Sequence, residues 1–192
     1  MTTERKVFEM AKTAIFLADG FEEIEALTVV DLLRRAGIEI TTVSVTETLS
    51  VTGSHNIPVA ADELFEDYDF DGVDMLILPG GQPGTRNLFA HEALKEKIKE
   101  FNADGKMLSA ICAAPTVYGK MGLLEGKKAT CYPGCEGDLL GADTMAAEVV
   151  KDGNFITSRG MGTAIPFGLA IIEHFQGKEA ADTMAEKIVY KM

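Results

Sequence analysis

One cysteine lies where a buried strand is predicted to turn into a helix. Cys112 follows the apolar run Lys106–Ile111 and precedes Ala113, Ala114 and Pro115. Proline suits the first turn of a helix, because the N–H that it lacks would have no partner there, and the small neighbours allow the sharp turn of a nucleophile elbow. The dipole of the helix would then lower the pKa of the thiol below its ordinary value of about 8.5. A buried structural cysteine would give the same local pattern, so the position alone leaves both interpretations open.

A carboxylate is predicted on the inward face of the first helix. The segment Phe21–Ala36 has helical spacing, and Glu25 and Val29 lie four residues apart on one face. Burial beside a thiol would raise the pKa of Glu25, which could then donate a hydrogen bond to a thiolate or act as a general acid and base. A capping role or a solvated position at the rim is the alternative. Glu22 and Glu23 are better placed to compensate the helix dipole.

Two glycines end another predicted strand. Gly80 and Gly81 follow the run Val73–Leu78. Glycine lets backbone N–H groups approach a ligand closely, so these two N–H groups and that of Ala113 could form an oxyanion pocket beside the sulfur. A tight turn is the simpler interpretation of the same residues.

The remaining histidines and cysteines show no spacing typical of metal ligands. His55, His91 and His174 are far apart in the sequence, so no metal site is predicted. Cys131 and Cys135 are predicted in a loop after a strand. They are interpreted as ordinary loop cysteines, with a resolving thiol near the site as the alternative.

The elements that would position these residues alternate between strand and helix along the chain. The predicted strands are Lys12–Ala18, Ile38–Val45, Val73–Leu78, Lys106–Ile111, and short runs within Lys128–Tyr132 and Val149–Ser158. The predicted helices are Phe21–Ala36, His91–Phe101, one that begins after Cys112 and ends at about Met121, Gly162–Phe175 and Lys178–Val189, with a hairpin within Val51–Ala60. Apolar strands that alternate with helices predict a mostly parallel sheet with helices on both faces. Ligands bind beyond the carboxyl ends of the strands in such sheets.

The composition limits the classes of function. The chain has 192 residues, 46% of them apolar, which fits one domain with a sizeable core. Its formal net charge of −12 argues against nucleic acid or an anionic membrane as a partner. Three scattered cysteines predict the reducing cytoplasm rather than a disulfide framework. We expect residues 1–11 to be a flexible N-terminal extension and residues 12–192 to form a single domain.

Four ordered motifs resemble those of a known family. They are Ala18–Glu25, Leu78–Gly81, Ser109–Pro115 and Thr157–Thr163. Together they are similar to the DJ-1/PfpI superfamily in its ThiJ branch, and the similarity extends from about Thr13 to the end of the chain.

The resemblance implies a flavodoxin-like three-layer α/β sandwich and a homodimer. We expect the protein to need no cofactor. It implies that Cys112 is the reactive residue, that Glu25 forms a hydrogen bond with it, and that Gly80, Gly81 and Ala113 supply backbone amides. Members of the superfamily are described as glyoxalases that convert methylglyoxal to lactate without glutathione, and as deglycases, redox sensors and chaperones.

Two positions depart from the family patterns. The protease-like branch has a histidine after its cysteine, where this sequence has Ala113, so a cysteine peptidase loses support. Some other members have a histidine in the loop after the next strand, where Tyr132 is aligned here. Tyrosine is a poor base near neutral pH, but it can donate a hydrogen bond to a substrate oxygen.

The first hypothesis is an enzyme that acts on small reactive aldehydes or glycated substrates, of the hydro-lyase type of glyoxalase or a deglycase. The alternative is a non-catalytic redox sensor or chaperone that uses oxidation of Cys112. A flavodoxin-like domain that binds a nucleotide or flavin is disfavoured, because no phosphate-binding glycine pattern follows the first strand.

Overall fold

The computed structural model describes residues 11–190. The predicted N-terminal extension, residues 1–11, lies outside this range except for Ala11. No helix within the described range is long and apolar enough to cross a membrane.

The strands and helices follow one another in a largely alternating order. The strands are β1 (Lys12–Leu17), β2 (Glu39–Ser44), β3 (Ser50–Thr52), β4 (Pro58–Ala60), β5 (Glu63–Leu64), β6 (Val73–Leu78), β7 (Met107–Ile111), β8 (Lys128–Ala129), β9 (Asp143–Thr144), β10 (Val149–Asp152) and β11 (Phe155–Ser158). The helices are α1 (Glu23–Arg35), α2 (Gly84–Ala90), α3 (Glu92–Ala103), α4 (Pro115–Lys120), α5 (Ala164–Gln176) and α6 (Lys178–Lys187).

A seven-stranded sheet in the order β10-β11-β7-β6-β1-β2-β5 forms the centre of the described range. All neighbouring strands in it are parallel except β10, which pairs antiparallel with β11. The predicted α/β sandwich with a mostly parallel sheet is therefore confirmed. The predicted hairpin within Val51–Ala60 is also present, as the antiparallel pair β3 and β4.

Helices cover both faces of this sheet. In β1, Ile15 packs into a core shared with α1, α5 and α6, whereas Phe16 points into the opposite core with α2, α3 and α4. Both side chains are fully buried. Side chains alternate between the two faces of a strand, so an almost wholly apolar strand such as β1 is stable only with apolar helices on each side.

Three sequence-based assignments needed correction. Helix α2 was missed because its seven residues begin at Gly84 and follow Pro83, a pattern typical of a turn. Strand β8 was predicted within Lys128–Tyr132, but it has two residues and pairs with β9 outside the main sheet. The helix after Cys112 begins at Pro115 and ends at Lys120, so it is shorter than predicted.

The carboxyl ends of β1, β6, β7 and β11 meet at one edge of the sheet because these neighbouring strands run parallel. The segment after β1 leads to Glu25 in α1, the segment after β6 contains Gly80 and Gly81, and Cys112 follows β7. The topology therefore brings together residues that are far apart in the sequence.

Candidate active site

Cys112 occupies a sharp turn between β7 and α4. Its φ of 65° lies in the left-handed region, which is strained for a residue with a side chain. The turn is held on both sides, because the Cys112 N–H donates to Ser158 O at 3.0 Å and the Tyr132 N–H donates to Cys112 O at 2.7 Å. Pro115 is the first residue of α4, as its missing N–H predicts. The neighbouring segments thus fix the direction of the Cys112 side chain.

Glu25 approaches this turn from the first turn of α1. Its side chain is fully buried, and its carboxyl lies close enough to the Cys112 thiol for the two groups to shift each other's pKa. Oε2 accepts the Gly80 N–H at 2.9 Å. Oε1 is buried and forms no hydrogen bond within residues 11–190, so it is free to share a proton with the sulfur. The structure therefore brings together Glu25 and Cys112, as the sequence predicts.

Burial changes the acidity of both members of this pair. Burial raises the pKa of Glu25 to about 7. The interactions with the Cys112 thiol and the Gly80 N–H lower this pKa, and the negative charge of Glu22 raises it further. Burial, followed by the negative charge of Glu25, also raises the pKa of Cys112. The sequence-based expectation that the helix dipole lowers the thiol pKa is therefore wrong, because burial and Glu25 outweigh the helix.

A thiolate at Cys112 depends on where one proton resides. Above the pKa of Glu25 the pair has lost its first proton, and the remaining proton is on the sulfur or on the carboxyl. If the carboxyl keeps it, the repulsion from Glu25 disappears and the Glu25 O–H donates to the sulfur. The N–H groups of Ala113 and Gly81, which lower the pKa of Cys112, stabilise the same charge. Glu25 can thus act as the proton carrier of the pair.

The three backbone amides predicted near the sulfur have two different roles. Those of Gly81 and Ala113 face the Cys112 thiol, whereas the Gly80 N–H donates to Glu25. A Cβ atom on Gly80 would lie 2.5 Å from Glu25 Oε2 and 2.6 Å from Cys112 Cβ. Gly80 is therefore required for the close approach of the acid and the thiol.

We expect Gly80→Ala to slow alkylation of Cys112 by iodoacetamide at least about tenfold, because the added methyl forces Glu25 and Cys112 apart. The rate can be followed by intact mass. Gly137→Ala is the matched control, since a Cβ there meets no atom within 4 Å. Equal rates in the wild type and Gly80→Ala would show that the close approach has no role in reactivity.

Tyr132 adjoins the site mainly through its backbone. Its N–H donates a hydrogen bond to the Cys112 carbonyl. Its ring lies beside Gly160, where a Cβ atom would be 3.4 Å from Tyr132 Cδ2. The side chain is 48% exposed, which leaves the hydroxyl accessible to solvent. A contact between Tyr132 and substrate stays a prediction.

The other cysteines have no carboxyl partner of this kind. All three cysteines are free, and Cys131 is buried, which raises its pKa to about 12. Burial also raises the pKa of the partly buried Cys135. The role of Cys131 or Cys135 as a resolving thiol stays a hypothesis.

A cluster around His55 escaped the sequence analysis. Glu22 and Glu23 are buried, and Ser54 Oγ donates to both carboxylates, at 3.1 and 3.2 Å. Glu23 also accepts the His55 N–H at 2.8 Å and lies 3.1 Å from His55 Nδ1. The two glutamates therefore lie at the beginning of α1 and also hold the β3–β4 turn in place through hydrogen bonds. Thirty residues of chain separate the partners, so no local spacing signals this contact.

The two carboxylates of this cluster face one titratable imidazole, that of His55. Burial opposes ionisation of Glu23, but hydrogen bonds from its own N–H and from His55 lower its pKa to about 2. The hydrogen bond to Glu23 and the charges of Glu22 and Glu23 raise the pKa of His55. Ligand atoms of these three residues lie within 4.8 Å of one another and could hold a cation, but a protonated His55 supplies the same positive charge.

The other two histidines have structural contacts in place of a catalytic partner. His91 caps α3, since its Nδ1 accepts the Leu94 N–H at 3.1 Å. His174 lies 3.0 Å from Lys151 Nζ. Within residues 11–190 no histidine lies beside Cys112, so the described site lacks the base of a cysteine peptidase.

Comparison with known proteins identifies the family. The sequence model of the DJ-1/PfpI family matches residues 11–174 of this chain. This chain belongs to the DJ-1/PfpI family. The resemblance inferred from the four motifs is therefore confirmed.

Several curated relatives are more than a third identical to this chain over the aligned residues. Protein dj-1beta of Drosophila melanogaster is 36% identical over 183 residues, which are 94% of this chain and 98% of that protein. Protein DJ-1 homolog B of Arabidopsis thaliana is 38% identical over 94% of this chain, but the match spans 42% of the plant protein. A Pyrococcus abyssi protein named a deglycase is 35% identical over 77% of this chain and 89% of its own length.

Solved DJ-1 structures have the same fold. The oxidised DJ-1 of Toxoplasma gondii matches with a TM-score of 0.91 and 35% identity, over 95% of this chain and all of that one. Drosophila DJ-1beta matches with a TM-score of 0.88 and 35% identity over 95% of this chain. These matches support the flavodoxin-like assignment of the sandwich.

Proposed function

We propose that this protein is a cysteine-dependent glyoxalase or deglycase that acts on methylglyoxal-type aldehydes without glutathione. The observation that carries the proposal is the close pair of the buried Glu25 and the partly buried Cys112, which can share one proton beside the N–H groups of Gly81 and Ala113. Such a pair can supply a nucleophile and a proton carrier at the same carbon. The relative named a deglycase supports the same class of substrate.

In the proposed reaction the Cys112 sulfur adds to the aldehyde carbon C1 of methylglyoxal. The C1 oxygen becomes an oxyanion, which the N–H groups of Gly81 and Ala113 stabilise and which Glu25 protonates to give a hemithioacetal. Glu25 then removes the C1 proton and returns it to C2 through an enediol, while the proton of the C1 hydroxyl passes to the C2 oxygen. C1 is thereby oxidised to a thioester while C2 is reduced to an alcohol, so no external oxidant is needed.

Water completes the cycle by hydrolysis of the thioester. It adds a hydroxyl to C1 and a proton to the sulfur, which releases lactate and restores the Cys112 thiol. The sum is methylglyoxal plus water to lactate. In a deglycase reaction the Cys112 sulfur would displace the amine or thiol from its methylglyoxal adduct, the displaced group would leave with a proton, and the resulting hemithioacetal would react as above.

The test is the production of lactate from methylglyoxal in buffer free of glutathione and other thiols, measured by proton NMR. We expect lactate to accumulate well beyond the protein concentration, in proportion to enzyme and time. Loss of methylglyoxal without lactate would indicate stoichiometric trapping by lysine, arginine or cysteine side chains, and it would contradict the catalytic proposal.

A redox sensor is the second candidate, because the same contacts suit an oxidised sulfur. A sulfinate at Cys112 could accept the Gly81 and Ala113 N–H groups and the proton of Glu25. Mild peroxide followed by intact mass and peptide mapping separates the candidates. Addition of two oxygen atoms at Cys112 alone, with no lactate production by the untreated protein, would favour the sensor.

We also propose a homodimer in the cytoplasm. Helix α1 exposes Ile24 and Leu27 to solvent at 51% and 38%, and Ile57 beside β4 is 50% exposed. Exposed apolar side chains of this size are typical of interaction surfaces when they are contiguous. Three unpaired cysteines suit a reducing compartment.

A further inference from the structure

A small cavity lies between α2 and α4, beside the nucleophile. Its volume is about 120 Å³, and its wall includes Gln82 and Ala113. Gln82 directly follows Gly81, and Ala113 directly follows Cys112. The two short segments whose N–H groups face the sulfur therefore also contribute to the wall of this cavity.

The wall of this cavity carries positive charge in a protein whose net charge is −12. Arg86 and Lys120 both line it. Lys120 forms an ion pair with Asp138, also in the wall, at 2.9 Å, and both side chains are 41% or more exposed. Exposed ion pairs of this kind contribute little to stability, so Lys120 can leave Asp138 for another anion at low cost. Arg86 has no ion-pair or hydrogen-bond partner within residues 11–190.

A buried hydroxyl in the same wall also lacks a partner. Thr85 lines the cavity and is 3% exposed, and its Oγ1 forms no hydrogen bond in the described range. Buried hydroxyls in proteins are nearly always hydrogen-bonded, because an unpaired one is costly. Thr116, on the facing side, already donates to Ala113 O at 2.7 Å. Thr85 therefore has a free O–H donor where Arg86 supplies a free guanidinium.

We propose that this cavity binds the anionic end of the substrate, a carboxylate or a phosphate, while the carbonyl carbon of the same molecule reaches Cys112. The guanidinium of Arg86 has donors arranged to match the oxygens of either anion, and Thr85 donates one more hydrogen bond. The inference rests on the proposed function and narrows its substrate class. Neutral methylglyoxal would react at Cys112 and leave the cavity empty. An α-oxoaldehyde with an anionic tail would react at Cys112 and place its anionic end in the cavity.

The test compares two alkylating reagents that differ in charge. Iodoacetate carries a carboxylate, and iodoacetamide is its neutral analogue of nearly the same shape. We expect the ratio of their rates at Cys112, iodoacetate over iodoacetamide, to fall at least about tenfold in Arg86→Gln. Arg35→Gln is the control for loss of one positive charge, since Arg35 lies at the far end of α1 and pairs with Asp31 at 2.6 Å.

Thr85→Val separates binding from long-range attraction, because it removes the hydroxyl without a change of charge or size. We expect it to lower the rate ratio as well, whereas general electrostatic attraction would leave the ratio unchanged. Protection of Cys112 from iodoacetamide by inorganic phosphate or by acetate identifies which anion the cavity prefers, and this protection should be lost in Arg86→Gln.

Identical rate ratios in the wild type, Arg86→Gln and Thr85→Val, with no protection by either anion, would overturn the inference. Alkylation needs no catalytic turnover, so it is independent of the lactate assay. Absence of lactate with a lowered ratio in both variants would reject the glyoxalase and keep the anion site. Lactate production with unchanged rate ratios would keep the glyoxalase and reject the anion site.

Discussion

Cys112→Ser is expected to lower lactate production from methylglyoxal by at least about 10³-fold. A serine hydroxyl has nearly the same size and can keep the contact with Glu25, but it is a far weaker nucleophile without a histidine base. No histidine lies beside Cys112 in the described site. The loss should therefore appear in kcat, measured by initial lactate rates.

Two observations make this result specific to Cys112. Circular dichroism should show an unchanged fold, because the substitution conserves volume. Cys131→Ala removes a different buried cysteine, 2% exposed, and should retain wild-type turnover. Full lactate production by Cys112→Ser would refute the mechanism, and an equal loss in Cys131→Ala would point to a structural rather than a chemical cause.

Glu25→Gln is expected to lower lactate production by about 10² to 10³-fold. The glutamine carbonyl can still accept the Gly80 N–H, but the amide cannot carry protons between C1, C2 and the oxyanion. Measurement of kcat and KM separates this from a binding defect, since loss of proton transfer lowers kcat. Unchanged kcat would show that Glu25 has no role as the proton carrier.

The same variant should change how the alkylation of Cys112 depends on pH. In the wild type the pair loses its first proton near the pKa of Glu25, about 7. The alkylation rate should therefore rise through that pH and then flatten. In Glu25→Gln this inflection should disappear, and the rate should increase only toward higher pH as Cys112 itself ionises. Glu22→Gln is the control, and its inflection should remain at a slightly lower pH because the Glu22 charge contributes to the raised pKa.

As the pH rises, the free energy of unfolding should fall while the alkylation rate of Cys112 increases. The folded protein holds the Glu25 proton more tightly than the unfolded chain, whose carboxyl has a pKa of 4.5. The free energy of unfolding therefore falls as pH rises from 4.5 to about 7, by roughly 3 kcal/mol for this group. Glu25→Gln should lack that contribution and be more stable than the wild type above pH 7. Urea unfolding at about pH 5 and about pH 8 measures the difference.

The helix at Glu25 shows why part of the site could be predicted from the sequence. Residues four apart on a helix share a face, so the burial of Val29 implies an inward direction for Glu25, and both are fully buried. Likewise, Pro115 fixes where α4 begins. These are local rules, and they hold because backbone geometry alone relates the residues concerned.

The pKa of Cys112 shows where local rules were insufficient. A helix dipole is a feature of neighbouring residues, and it predicts a lowered pKa. The raised pKa arises from burial and from Glu25, which lies 87 positions earlier in the chain. Only the packed structure determines how much water reaches the sulfur and how near the carboxyl comes.

The contacts of His55 and the cavity beside Arg86 depend on tertiary structure in the same way. His55 meets Glu22 and Glu23 because the β3–β4 turn folds back on α1. Arg86 lies in α2, which the sequence pattern did not reveal, opposite Lys120 of α4. Neither arrangement has a periodic or motif signal, since each is made by segments that meet only at the edge of the sheet.

From the sequence by itself we predicted the sandwich, the elbow at Cys112, and Glu25, Gly81 and Ala113 as its neighbours, because strand and helix patterns and the resemblance carried by four ordered motifs point to them. The tertiary structure decided which N–H faces the sulfur and which holds Glu25, where the shared proton can reside, and that an unpaired Arg86 and Thr85 line a cavity beside the nucleophile. Those features depend on distances and burial between residues remote in the chain, which no local pattern encodes.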